Sequence, residues 1–141
     1  MIVVVDAIVA RKWFLQSNPP EPHTELALRL LERSVLGLLP MVNPSHFVSE
    51  VAAVLARLKP ADARYDLIDL LEISHSTATS PEIYATAMDL ALRRRHHWFD
   101  TLYHAVALHT QGAVLVTADA RYHNKVDREG QIMLLSDFAW D

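Results

Sequence analysis

The sequence predicts an α/β fold built around a central, mostly parallel sheet. Two runs of apolar, mostly β-branched residues, Ile2–Val5 and Ala113–Thr117, have the composition of strands that are buried on both faces. Residues 131–135 form a third run of this kind. Between the runs, apolar residues recur with the period of a helix. Because strands alternate with helices along the chain, we expect a sandwich in which helices pack on the central sheet.

The N-terminal half is predicted to add three helices and one short strand to the first strand. Residues 7–15 are predicted to form a helix after Asp6 ends that strand, and the prolines of residues 18–22 indicate a loop. The next helix carries an apolar stripe at Leu26, Leu30, Leu31, Val35, Leu38 and Leu39. Residues 40–43 suit a very short strand. Pro44 is typical of the first residue of a helix, which should extend to about Leu58.

The C-terminal half is predicted to contain further helices that alternate with the remaining strands. Residues 61–71 have a helical pattern, and residues 72–75 suit a short strand. Ser80, followed by Pro81 and Glu82, is typical of a helix start, because a hydroxyl caps the first turn and proline suits its first position. This helix should end at the basic residues 93–95, and the next one, residues 99–111, at Gly112.

Length and composition restrict the classes of function. With 141 residues the chain has the length of one domain, which we place at residues 1–141. The absence of cysteine excludes thiolate metal sites, and three widely spaced glycines exclude glycine-rich phosphate loops. A net charge of −4 disfavours binding to long duplex nucleic acid. The apolar run at the N-terminus is too short for a signal peptide or a membrane span, so we expect a cytoplasmic protein without membrane contact.

Four acidic residues occupy positions at which a parallel sheet would carry its functional crevice, beyond the carboxyl ends of its strands. Asp6 and Asp119 follow the first and second predicted strands, whereas Glu50 and Asp100 lie on the flanks of apolar helical stripes. Taken singly, each aspartate is explained as a helix cap, and Glu50 as a side chain that extends to solvent. Together they would repel one another in one crevice, and a divalent cation would offset that repulsion. Mg²⁺ or Mn²⁺ prefers such an oxygen-only site.

Three histidines lie near Asp100 in the sequence. His96 and His97 are adjacent and therefore point in different directions on a helix, and the chain has no HExxH motif. We therefore do not expect either histidine to bind a metal ion. His104 lies one helical turn after Asp100, and we expect it to support the site as a hydrogen-bond donor or to be an ordinary polar residue.

Four segments, in this order, resemble the motifs of PIN domains, notably those of the VapC-type toxins of toxin–antitoxin pairs. They are residues 3–7 with 12–15, residues 49–55, residues 99–107 and residues 116–119. The sequence departs from the family pattern at Trp98, at Phe99 in place of the usual tyrosine, and at Thr101 in place of alanine. None of these departures removes an acidic residue, so they bear on substrate preference more than on chemistry.

The resemblance implies a three-layer α/β/α PIN-like domain and a metal-dependent endoribonuclease that hydrolyses single-stranded or looped RNA. The family's acidic quartet falls on Asp6, Glu50, Asp100 and Asp119. On this basis Asp6 and Asp100 are expected to hold the first Mg²⁺ or Mn²⁺ ion most directly. Asp119 and Glu50 would complete its shell through water or activate the attacking water, and Thr117 would orient Asp119.

The resemblance also implies a homodimer and a cognate antitoxin protein. The candidate contacts for RNA phosphates are Arg11, Lys12 and the run Arg93, Arg94 and Arg95, for which a solvated helix end is the alternative. The large rings are too many for one small core, so we expect an exposed apolar patch among Trp13, Phe14, Trp98 and Trp140.

Two other classes of α/β protein fit the sequence less well, and one alternative stays open. A receiver-like signalling domain would have adjacent acids after the first strand, where Ala7 follows Asp6, and a lysine at the end of a later strand, where residues 113–119 have none. A haloacid-type phosphatase would have a second aspartate at the position of Ile8. A catalytically idle PIN fold that acts only as a binding module stays open, although the intact quartet argues against it.

Overall fold

The computed structural model describes residues 1–16, 19–73 and 75–138. The strands are β1 (Ile2–Val5), β2 (Val42–Asn43), β3 (Ser76–Thr77), β4 (Ala113–Thr117) and β5 (Ile132–Leu134). The helices are α1 (Ala7–Arg11), α2 (Thr24–Val35), α3 (Phe47–Leu58), α4 (Ala63–Glu72), α5 (Pro81–Arg94), α6 (Trp98–Leu108) and α7 (Ala120–Val126). Two short 3₁₀ turns, Asp127–Glu129 and Leu135–Asp137, flank β5.

The sheet is parallel, as the sequence predicts. β4 lies between β1 and β5, with Val5 opposite Val116, and β2 pairs with β3. A parallel bridge between Val3 and Met41 joins the two sets of strands, so that their order is β3-β2-β1-β4-β5. The carboxyl ends of β1 and β4 therefore lie side by side.

Helices cover both faces of this sheet. Successive side chains of a strand point to opposite faces, yet Val3, Val4 and Val5 are all fully buried. A strand with this burial pattern needs a packed layer above it and another below it, which is the three-layer α/β/α arrangement that we expected. No helix formed by the described residues has the length and apolar character needed to cross a membrane.

Two helices in the N-terminal half are shorter than the sequence pattern predicts. α1 ends at Arg11 rather than at residue 15, because the backbone tightens into successive turns in which the amide of Lys12 bonds to the carbonyl of Val9 at 3.1 Å. α2 ends at Val35 although its apolar stripe continues to Leu39. Gly37 has a φ of 76°, a left-handed conformation that terminates a helix readily when the residue is glycine.

The remaining differences are small shifts of boundaries. Pro44 precedes a turn, and α3 begins at Phe47 rather than at Pro44. β3 lies just after the strand predicted at residues 72–75, of which residue 74 is outside the described residues. The start of α5 is confirmed, because the hydroxyl of Ser80 accepts a bond from the amide of Ile83 at 3.1 Å. α6 begins one residue before the predicted helix and ends at Leu108 rather than at residue 111.

Candidate active site

Asp6 is both a helix cap and a member of the site. Its Oδ1 accepts a bond from the amide of Val9 at 2.9 Å, and its Oδ2 accepts one from the Thr117 hydroxyl at 2.6 Å. The residue is only 8% exposed. Burial, which penalises the charged form, raises the pKa of Asp6 to about 6 despite these two hydrogen bonds, and the negative charges of Asp100 and Asp119 raise it further.

Thr117 connects two of the acidic residues. While its hydroxyl donates to Asp6, the same oxygen accepts a bond from the amide of Asp119 at 3.0 Å. Asp119 then caps α7 through its Oδ1, which accepts from the amide of Tyr122 at 3.0 Å. Thr117 therefore forms hydrogen bonds with both residues, through the carboxylate of Asp6 and the backbone amide of Asp119.

Asp100 lies in the first turn of α6 without capping it. The cap is His97, whose Nδ1 accepts from the amide of Phe99 at 3.1 Å. The Oδ2 of Asp100 instead lies 2.9 Å from His96 Nε2. Burial raises the pKa of the Asp100 carboxyl, the charges of Glu50 and Asp119 raise it further, and the interaction with His96 opposes the rise.

The structure brings three of the four predicted acids to one recess. Asp6, Asp100 and Asp119 line it together with Thr117, and its other lining residues are Ile8, Leu115 and Tyr122. Glu50 is not among the lining residues. Its Oε2 lies 3.3 Å from His46 Nε2, and its charge raises the pKa values of Asp100 and Tyr103, so Glu50 lies near the recess without lining it.

Tyr103 lies near the recess, a position that the sequence analysis did not identify. Its ring is fully buried, and its hydroxyl has no hydrogen-bond partner within the described part of the chain. Burial raises its pKa strongly, and the charges of Glu50, Asp6 and Asp100 add to that rise. The buried hydroxyl thus lies within the negative field of the acids. At the sequence level, Tyr103 could be recognised only as part of the apolar stripe of α6.

His96 lies beside the acids, a position that the sequence analysis did not predict. Its Nε2 is 3.9 Å from Asp119 Oδ2 as well as close to Asp100, and the three side chains place their donor atoms within 4.8 Å of one another. The cause is Arg95, whose φ of 51° turns the chain sharply between α5 and α6. His104 has a different environment, because its ring nitrogens bond to Tyr122 Oη at 3.0 Å and to the carbonyl of Gly130 at 2.8 Å.

Most of the predicted phosphate contacts are engaged within the protein. Lys12 is 5% exposed, and its Nζ lies 3.0 Å from Glu21 Oε2, which Arg11 also contacts at 3.2 Å. Arg93 and Arg94 both bond to Glu129 Oε1 at 2.8 Å. The ammonium of Lys12 is therefore held in an internal ion pair and is not exposed for the RNA contact that we predicted. Arg95 is exposed next to His96.

Comparisons with known proteins identify the family. The PIN domain profile matches residues 3–129. The chain is also similar in structure to the crystal structure of FitAcB from Neisseria gonorrhoeae, with a TM-score of 0.64 and 18% identity, over 98% of this chain and 100% of that one. At this identity the likeness shows the fold alone. No curated protein matches the chain significantly. Because the profile spans most of the sequence, this chain belongs to the PIN domain family, whose members are generally nucleases.

Proposed function

We propose that this chain is a metal-dependent endoribonuclease whose active site is the recess between the ends of β1 and β4. The observation that carries the proposal is the convergence of Asp6, Asp100 and Asp119 on that recess. These residues come from three distant parts of the sequence, and each follows a strand or opens a helix. We further propose that residues 1–141 form one PIN domain.

The residues of the recess fit a divalent cation. Two like charges about 5 Å apart repel by about 3 kcal/mol at an effective dielectric constant near 20. The raised pKa of Asp6 and the raised pKa of Asp100 reflect burial together with this repulsion, and a cation would relieve both effects. The acids offer carboxylate oxygens, the ligands that Mg²⁺ and Mn²⁺ prefer. The unpaired hydroxyl of Tyr103 lies within the same negative field, which a bound cation would reduce.

The proposed roles follow from the hydrogen bonds. A divalent ion, when bound, would supply a water nucleophile and stabilise the charge that builds on the phosphate. Asp6 and Asp100 are the proposed direct ligands, and Asp6 is held for this role by Thr117 and the amide of Val9. Asp119, held by Thr117 and Tyr122, is proposed to complete the shell through water. Glu50, which lies near the recess without lining it, is proposed to orient the attacking water.

Exposed aromatic rings support single-stranded or looped RNA as the substrate. Phe99 precedes Asp100 in the sequence, is 46% exposed, and stacks on His46 with ring centroids 4.9 Å apart and an angle of 21°. His97 lies against the same ring at 5.2 Å. Unpaired bases stack on such rings, whereas the bases of a duplex are not accessible to them. Arg95 is exposed nearby in the sequence and is the remaining candidate for a phosphate contact.

We propose that this chain is the toxin of a toxin–antitoxin pair and that it acts on cytoplasmic RNA. The proposal is based on the resemblance of its motifs to those of VapC-type proteins. The proposed antitoxin and homodimer rest on the same resemblance. The predicted aromatic patch differs from the structure, because Trp13 is buried, Phe14 and Trp98 are half-buried, and Trp140 lies outside the described residues. Exposed apolar side chains instead lie on α4 and α5, at Tyr65, Ile68, Leu71, Tyr84, Met88 and Leu92. They provide surface suited to protein contacts.

The proposal is tested by incubating the purified protein with cellular RNA in Mg²⁺ or Mn²⁺ and mapping the product ends. We expect cleavage that EDTA abolishes, and products without 2′,3′-cyclic phosphates, because water rather than the RNA 2′-hydroxyl attacks. Asp6→Asn should remove the activity. Asp69→Asn, which neutralises an exposed acid of α4, is the matched control and should retain it. Cleavage by metal-free protein would contradict the proposal, and inactivity in every condition would favour an idle binding module.

A further inference from the structure

Three side chains form a line that leads from the surface to the recess. On α7, Lys125 Nζ lies 3.2 Å from His96 Nδ1 and donates to the carbonyl of Arg95, also at 3.2 Å. On the other side of the ring, His96 Nε2 lies 2.9 Å from Asp100 Oδ2. The His96 side chain is 11% exposed, and its ring packs on Tyr122 with centroids 4.6 Å apart. The ring is therefore held between a cation and an acid.

The donors and acceptors of Lys125 and Asp100 determine which ring nitrogen of His96 carries a hydrogen. An ammonium group has three donors and no acceptor, so His96 Nδ1 must accept from Lys125 and carries no hydrogen. The hydrogen of a neutral imidazole then lies on Nε2, where it is donated to Asp100. The hydrogen-bond network thus assigns the tautomer. A metal ion would need the lone pair of Nε2, and in this arrangement that lone pair is not available.

We propose that Lys125, acting through His96, keeps the recess an oxygen-only site that takes Mg²⁺ or Mn²⁺ in preference to Zn²⁺. His96 is a positioning residue that donates to Asp100, and Lys125 prevents His96 from becoming a nitrogen ligand. The distances give this restraint a purpose, because the donor atoms of His96, Asp100 and Asp119 lie within 4.8 Å of one another and could together hold a metal ion. A nitrogen ligand in that set would favour Zn²⁺ over Mg²⁺. This inference rests on the proposed function, since it assumes that the recess binds a divalent ion.

The test compares the affinities of the protein for Zn²⁺ and Mn²⁺ by titration calorimetry. The binding measured for Asp100→Asn is subtracted from that of each protein. Metal ions that bind to histidines elsewhere on the protein are thereby left out. Lys125→Met frees His96 Nδ1 to carry the hydrogen and Nε2 to bind metal. We expect the preference for Zn²⁺ over Mn²⁺ to rise about tenfold or more. Adding His96→Gln to Lys125→Met should restore the wild-type preference, because glutamine can donate to Asp100 but has no imidazole nitrogen.

Arg128→Met is the matched control. It removes an exposed cation three residues after Lys125 and should leave the Zn²⁺-to-Mn²⁺ preference unchanged. A direct readout is the nitrogen–hydrogen NMR correlation of His96, assigned by its loss in His96→Gln. With Zn²⁺ added, wild type should keep the hydrogen on Nε2, whereas Lys125→Met should lose it there.

The outcomes separate this inference from the proposed function. A wild type that binds neither ion through Asp100 contradicts the metal site and, with it, this inference. Two results contradict the inference alone while the metal site stands. One is an unchanged preference in Lys125→Met. The other is loss of the Nε2 hydrogen from His96 when wild type binds Zn²⁺.

Discussion

The hydroxyl of Thr117 donates to the carboxylate of Asp6 at 2.6 Å, across the 111 residues that separate them in the sequence. The bond joins the ends of two neighbouring parallel strands, because Val5 and Val116 are register partners. It is also the strongest of the interactions that oppose the rise in the pKa of Asp6. The parallel register thus brings an acid and its hydrogen-bond donor together.

Thr117→Val tests the role of this bond, because valine has nearly the same shape and lacks the hydroxyl. Asp6 keeps the amide of Val9 but loses its second donor, and the amide of Asp119 loses its acceptor, so we expect Mn²⁺ affinity to fall about tenfold or more. Thr117→Ser keeps the hydroxyl and should bind Mn²⁺ nearly as well as wild type. Titration calorimetry measures both. Equal affinity in Thr117→Val and wild type would show that the bond does not support the site.

Asp6→Asn should stabilise the metal-free protein at neutral pH. The folded-state pKa of Asp6, about 6, lies above the unfolded value of 3.8, so the folded protein binds the proton more tightly. Its contribution to stability is therefore greatest below about pH 4 and is lost as pH rises through 6. Asparagine does not ionise, so it avoids this loss of stability, and it can still cap α1. We therefore expect the free energy of unfolding to rise by about 2 kcal/mol at pH 7.5, or the melting temperature to rise by about 6 °C.

The pH dependence provides the control for that prediction. Thermal melts in EDTA should show the difference between Asp6→Asn and wild type shrinking as pH falls below 6 and approaching zero at about pH 3, where Asp6 is protonated in both the folded and the unfolded state. A difference that is independent of pH would assign the stabilisation to another cause. Excess Mn²⁺ should reverse the order at pH 7.5, because it stabilises the wild type that binds it.

Tyr103→Phe and Tyr122→Phe form a matched pair with opposite expected effects on stability. The hydroxyl of Tyr103 is buried without a partner, so its removal should raise the free energy of unfolding by about 1 kcal/mol. The hydroxyl of Tyr122 bonds to His104 at 3.0 Å, and its removal should lower that free energy by a similar amount. Urea denaturation in EDTA measures both variants. A loss of stability in Tyr103→Phe would mean that its hydroxyl has a partner in solution.

Phe99→Ala tests the proposed base-stacking surface. Loss of the exposed ring should weaken binding of single-stranded RNA by about 1–3 kcal/mol and raise KM more than it lowers kcat, because stacking acts on substrate binding. Phe99→Tyr, which restores the residue usual in the family, should retain the wild-type KM. Steady-state cleavage of an unstructured RNA gives both parameters. A fall in kcat without a change in KM would place Phe99 outside the substrate-binding surface.

The sequence predicts the two central strands and the acids that follow them. β1 and β4 have the predicted boundaries because their mostly apolar and mostly β-branched composition suits a strand buried on both faces. Asp6 and Asp119 then follow from the geometry of parallel strands, whose carboxyl ends meet at one edge. Asp100 lies on the predicted face of its helix, although its proposed role as a cap is taken by His97.

The features that the sequence does not predict depend on backbone conformation and on distant partners. His96 lies beside Asp100 and Asp119 after a turn in which Arg95 adopts a left-handed conformation. That conformation is uncommon for a residue other than glycine, and the sequence pattern does not signal it. Lys12 is held away from solvent by an ion pair with Glu21, a residue within the proline-rich loop, and the sequence pattern does not predict such a pair. The apolar stripe of α2 continues beyond the end of the helix. Gly37 terminates the helix, whereas the periodicity shows only where the apolar residues are.

The rate of single-stranded RNA cleavage by wild type and by Asp100→Asn, each with Mn²⁺ and with EDTA, tests the central claim most directly. We expect wild type to cleave only with Mn²⁺. We expect Asp100→Asn to lose at least about a hundredfold in rate, because the ligands of one ion act together. Asp69→Asn, an exposed acid remote in sequence from the recess residues, should cleave like wild type. Cleavage in EDTA, or an Asp100→Asn variant as active as wild type, would contradict the assignment of the recess as a metal-dependent nuclease site.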